Sequence, residues 1–160
     1  MPENNQPGAW AAALGRLPSG LAILTHTGVQ GSTGMLTSWV QQCSFEPPQL
    51  TVAMRLGRPI LDDLTPGTPF GINIIPDDGK RLLAHFGKGF APGEPAFEGL
   101  EVDLTLPSPC LRSALAWLDC RVVQTVTVGD HVLVVGRVGD AKVLNDTKPY
   151  VHVRKDSSRY

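Results

Sequence analysis

Apolar and polar positions alternate with a period of two along much of this chain, and helical spacing is confined to short stretches. Residues 21–26 (LAILTH) read as a strand. Thr27, Gly28, Val29, Gln30 and Gly31 then supply the turn of a hairpin. Residues 49–56 (QLTVAMRL) place Leu50, Val52 and Met54 on one face, and residues 70–75 (FGINII) form a further strand. Residues 113–128 predict a long strand with Ala116, Leu118, Cys120 and Val122 on one face and Asp119 and Arg121 on the other. After a Gly129–Asp130 turn, residues 131–138 (HVLVVGRV) are apolar on both faces, as in a strand buried in mid-sheet. A last strand falls in residues 150–154.

Helical patterns are short. Residues 10–17 (WAAALGRL) predict a helix that Pro18 ends, because the residue before proline is pushed out of helical geometry. A short helix follows Gly57, Arg58 and Pro59 over residues 60–64. Residues 77–86 predict an amphipathic helix whose first turn holds Asp77 and Asp78, a charge that suits the helix dipole. Glycine and proline make residues 87–95 an exposed loop, with a lid as the second reading. Trp10 and Trp117 are expected in the core. Six or seven strands without strand–helix–strand alternation predict a mainly β fold, an antiparallel barrel.

The least ordinary stretch is residues 31–50, GSTGMLTSWVQQCSFEPPQL. A buried strand has no need of so many hydroxyls or of a double proline. Small residues do let a backbone approach a flat polar ligand closely.

Composition narrows the field. A formal net charge of −1 argues against a nucleic-acid surface. No apolar run approaches the length of a membrane span. Residues 1–9 read as a disordered tail and residues 10–160 as a single domain, with residues 155–160 a tail or an arm reaching a partner subunit. Cys43, Cys110 and Cys120 are odd in number and lack a CxxC pair, so they are expected as buried, reduced thiols of a cytoplasmic protein, with no zinc site.

Candidate chemistry is sparse. The chain has no GxGxxG, no P-loop and no GxSxG. Its four histidines show no ligand spacing. His131 alone follows a turn at a strand's start, where a side chain can point into a cleft. Arg55, Gly57 and Arg58 make a basic corner whose guanidinium groups and backbone N–H groups suit a phosphate. Trp39 suits either the core or the flank of a planar ligand.

Taken in order, these pieces resemble the flavin reductase-like family, which binds FMN on a split β-barrel. Residues 16–20 (RLPSG) look like its early PTG segment. Residues 34–38 (GMLTS) and 44–50 (SFEPPQL) look like its flavin-holding strand and double-proline turn. Residues 70–75, 97–100 (FEGL), 114–122 (ALAWLDCRV) and 129–131 (GDH) resemble its later motifs. The run GMLTSWVQQ is closer to the flavin reductase modules that end flavodiiron proteins than to oxygenase-partner reductases. With no di-iron half, this reads as that module standing alone. Two places depart from the family: Trp39, Val40, Gln41 and Gln42 replace an asparagine or serine cluster, and Gly57-Arg58-Pro59 replaces a Ser/Thr phosphate corner.

The resemblance implies a flavin reductase that transfers a hydride from NAD(P)H to flavin N5, with FMN as cofactor (FAD the alternative). It implies flavin contacts from Pro18, Ser19, Gly20, Met35, Leu36, Thr37, Ser38, Trp39, Ser44, Pro47, Arg55, Gly57 and Arg58, and a place for His131 near the nicotinamide or the flavin edge. It also implies a homodimer, with no role for nucleic acid or membrane. Two other readings stand beside it. One is an FMN electron carrier fed by a redox protein partner. The other is a split barrel holding haem, deazaflavin or a pyridoxal-type phosphate.

Overall fold

A computed structural model describes residues 8–155. Helix α1 (Ala9–Gly15) closes with Arg16 N–H on the Ala13 carbonyl, two residues ahead of Pro18. Eleven strands follow: β1 (Ser19–Gly20), β2 (Ala22–Gly28), β3 (Gly31–Thr37), β4 (Val40–Ser44), β5 (Gln49–Arg55), β6 (Pro69–Ile74), β7 (Val102–Asp103), β8 (Cys110–Leu111), β9 (Ala116–Val128), β10 (His131–Val143) and β11 (Val151–His152). A 3-10 turn, Pro59–Asp62, follows β5, and helix α2 (Lys80–Phe86) follows β6. The predicted strands are all present.

Seven strands make one antiparallel sheet in the order β3-β2-β6-β9-β10-β5-β4. Its two edges, β3 and β4, are consecutive in the chain and joined only by Ser38 and Trp39. A flat sheet of this width would hold its edges about 29 Å apart at ~4.8 Å per strand. The link from Thr37 to Val40 reaches roughly 10 Å. The sheet must therefore curl until its edges meet, which makes it a barrel. The seam is not laddered, so the barrel is split, as the fold class predicted. Trp39 is tied to the β5 side of the seam, its carbonyl accepting the Ala53 N–H at 3.0 Å as a continuation of the β4–β5 ladder.

Strand β2 shows how the core divides. Ala22 and Leu24 point into the barrel with Val52, Met54, Phe70, Ile72, Cys120, Val122 and Val134. The alternate residues, Ile23 and Leu21 just ahead of the strand, point outward against Ile75, Leu82, Phe86, Ala96, Leu111 and Ala114. Both faces are buried, which explains the nearly continuous apolar run. Each large side chain fully buried here contributes ~1.5–3 kcal/mol.

Four expectations are corrected. Asp77 and Asp78 lie before α2, not in its first turn, because Asp77 N–H is held by the Lys148 carbonyl and Gly79 N–H by Pro76. Trp10 is 54% exposed, because the short α1 buries only Ala11 and Gly15. Cys43 is exposed, since β4 is an edge strand. Asp119 is buried on the face of β9 expected to be polar, where Ser108 Oγ donates to Asp119 Oδ1 at 2.7 Å; Trp117, on the same face, is in the core as expected. The predicted tails lie largely outside the described residues, at 1–7 and 156–160. Among the described residues no helix is long and apolar enough to cross a membrane.

Candidate active site

A cleft of about 1190 Å³ opens at the seam of the barrel. One wall is the end of β3 with its link to β4: Met35, Leu36, Thr37, Ser38 and Trp39. The floor adds Ala53, Met54 and Arg55 of β5. Leu83 and Phe86 of α2, residues 87–89 and residues 150–155 complete it, with Val151 standing outside the lining. Because β3 is an edge strand, the backbone groups on its outer side are not used by β2. That strand edge offers alternating donors and acceptors along the cleft.

Charge is segregated here. Arg55, Arg58, Lys88, Arg154 and Lys155 line the cleft, and among the described residues no Asp or Glu does, although the chain as a whole carries −1. Five cations around one cavity of this size favour an anionic ligand.

Two motifs far apart in sequence meet at its rim. His131 is the register partner of Arg55, and Leu56 N–H donates to the Asp130 carbonyl at 3.0 Å. Gly57 takes a φ of +82°, a left-handed turn that suits glycine and lets the chain double back into Arg58 and Pro59. The Asp130 carboxylate accepts the His131 Nδ1–H at 2.8 Å. That bond, ahead of the pull of Arg55, holds the Asp130 carboxyl below its ordinary value. An ionised carboxylate only accepts, so it fixes the proton of neutral His131 on Nδ1. The His131 ring packs on Trp39 with centroids 4.9 Å apart, and the Arg154 guanidinium lies over the Trp39 ring at 4.8 Å.

Of the residues proposed from sequence, Met35, Leu36, Thr37, Ser38, Trp39, Arg55 and Arg58 line this cleft. Gly57 turns the corner beside Arg58, and His131 stands directly behind Trp39 and Arg55. Ser19 and Gly20 border the cleft through β11, pairing with His152 and Val151, and Pro18 precedes them. Ser44 and Pro47 are not brought to it. They sit at the far end of the β4–β5 hairpin, about 16 Å or more along the strand from Trp39. Sequence reading missed Lys88, Tyr150, His152 and Arg154. The basic run closing the last strand, and a lysine between Gly87 and Gly89, were the available signals.

Fold and cleft place the chain among split-barrel oxidoreductases of the flavin reductase type. A family model described as Flavin reductase like domain matches residues 14–159, and the chain belongs to that family. Diflavin flavoprotein A 1 of Synechocystis sp. is 36% identical over 151 residues, covering 92% of this chain and 26% of that protein. The chain thus spans only 26% of the length of such curated relatives. The styrene monooxygenase flavin reductase of Pseudomonas putida S12 superposes with a TM-score of 0.75 at 28% identity, covering 93% of each chain. The NADH:FAD oxidoreductase of Streptomyces globisporus C-1027 shares the fold, with a TM-score of 0.80 at 20% identity over 90% of this chain and 86% of that one.

Proposed function

We propose that the seam cleft binds FMN and that the chain catalyses flavin reduction by NAD(P)H. The observation that carries this is the union of an edge strand with a lining whose charged side chains, among the described residues, are all cationic. Isoalloxazine needs alternating donors and acceptors along one edge, and its side chain ends in a phosphate. Met35, Leu36, Thr37 and Ser38 offer the first through their backbone, while Arg55, Arg58 and the Gly57 turn offer the second. A bound flavin would supply the redox chemistry, as acceptor of a hydride from the reduced nicotinamide. The chain's residues position and balance charge, and no acid–base side chain is required for that transfer. Arg55 and Arg58 offset negative charge. Asp130 orients His131 at the rim, where the imidazole steers the nicotinamide. FMN is favoured over FAD because the corner suits a single terminal phosphate.

The test is anaerobic mixing of protein and FMN with NADH or NADPH, followed by flavin absorbance. Rapid bleaching is expected, and His131→Ala should retain FMN while losing turnover at least tenfold. FMN binding without bleaching by either nucleotide would reject the reductase and leave the electron carrier. No FMN binding would reject the site.

The reading includes a homodimer in the cytoplasm. Val123, Val126 and Val128 are exposed on the part of β9 that β6 does not reach, and they give a second copy an apolar surface. Sedimentation showing only monomer at micromolar concentration removes the dimer. The cysteines, free of disulfides, suit a reducing compartment, and cell fractionation checks the location.

A further inference from the structure

The walls of the cleft are unequally anchored. The β3 and β5 sides belong to the seven-stranded sheet. The wall of residues 150–155 is tied by Tyr150 N–H to the Ile75 carbonyl at 2.9 Å and by a two-residue ladder, Ser19 to His152 and Gly20 to Val151. Past His152 that ladder has ended, yet Val153, Arg154 and Lys155 still line the cleft. There the Arg154 guanidinium sits over Trp39 at 4.8 Å. Trp39 is a firm platform. Its carbonyl holds Ala53 N–H at 3.0 Å and its ring packs on His131, itself held by Asp130.

We propose that Arg154 docked on Trp39 is a clamp holding the C-terminal wall over the cleft, and that it sets how long bound flavin resides there. Trp39 and Arg154 act as positioning residues, reaching the ligand through the wall they hold shut. The clamp decides whether FMN is retained as a cofactor or exchanged as a substrate. A cation–π contact is weak enough to open and strong enough to matter, so its loss should speed release about fivefold. This part rests on the flavin reading; the clamp itself does not.

The experiment is a double-mutant cycle on FMN release, read by recovery of free-flavin fluorescence after dilution. Arg154→Ala should raise the off-rate about fivefold in the wild-type background and leave it nearly unchanged in a Trp39→Leu background, where the contact is already gone. The same rise in both backgrounds would mean two independent ligand contacts and overturn the clamp. So would an effect of only one single variant. A flavin-free readout separates the two hypotheses. Trypsin should cut after Arg154 about fivefold faster in Trp39→Leu than in wild type, with Trp39→Phe close to wild type. If Trp39→Leu does not fold, Arg154→Ala carries the same test through the cut after Lys155. Faster cutting without any FMN binding would keep the clamp and reject the flavin reading. FMN binding with unchanged cutting would do the reverse.

Discussion

Gly34 tests whether α2 is packed against the strand that walls the cleft. A Cβ there would lie 2.6 Å from Phe86 Cε1 and 3.2 Å from Ile23 Cγ2. Comfortable carbon contacts are ~3.5–4.0 Å, so Phe86 would have to withdraw by about 1 Å. Its retreat is crowded by Phe90 and Phe97, whose ring centroids lie 5.8 and 5.9 Å away. Overpacking of this kind costs ~1–3 kcal/mol. Replacing glycine by alanine in a strand otherwise returns ~0.5–1 kcal/mol of backbone entropy. At the middle of both ranges the steric cost wins by about 1 kcal/mol. At ~2–4 °C per kcal/mol for a domain of this size, Gly34→Ala should lower Tm by about 2–4 °C in differential scanning fluorimetry. Gly20→Ala is the control: nothing lies within 4 Å of its Cβ, so Tm should hold or rise slightly. A Gly34→Ala protein as stable as wild type would refute the packing of Phe86 on β3.

Three further outcomes follow from other parts of the molecule. Asn73, fully buried, donates from Nδ2 to Thr25 Oγ1 and the Pro109 carbonyl and accepts the Leu111 N–H at 2.8 Å. Asn73→Ala strands the Leu111 N–H at ~1–3 kcal/mol, while Thr25 Oγ1 still donates to the Pro109 carbonyl at 2.6 Å, so the urea midpoint should fall with the slope unchanged. Arg58→Ala should weaken FMN binding about tenfold at low salt and flatten its salt dependence, both read by fluorescence titration. Burial pushes the Cys120 thiol up to about 12, whereas Cys43 is exposed, so a thiol reagent at pH 8 should label Cys43 alone in the folded protein. The sign of the linked stability follows. A thiol raised on folding contributes fully below its ordinary value of 9.0 and loses that contribution as pH rises toward about 12. Urea midpoints should therefore decline across that window, and a Cys120→Ala variant should decline less.

Strand identity was legible because the period-two pattern survives wherever one face is buried, as in β5. It fails at the start of β9, where alternation puts Asp119 on a solvent face. That face is covered by a segment from elsewhere in the chain, including Ser108, which strand periodicity does not register. The cleft was half legible. Residues 35–39 and the arginine corner announce themselves by composition. Ser44 and Pro47 were grouped with them by proximity in sequence, yet β4 carries them away from the cleft. Arg154 went unseen for the opposite reason: it is remote in the chain from Trp39 and meets it only through the fold.

The two-residue link between the edge strands makes closure of the barrel and shape of the cleft a single event. Ser38 and Trp39 reach their places only after β2, β6, β9, β10 and β5 have paired, so no local peptide around residues 31–50 carries the site. A ligand seated there draws on the whole sheet, and saturation at a hundred times Kd would stabilise the entire barrel by about 2.7 kcal/mol. It follows that the seam is a poor place for motion where Ser38 and Trp39 tie its edges, because widening it there means stretching a two-residue link. Whatever breathing the site needs must come from the wall that the sheet does not own.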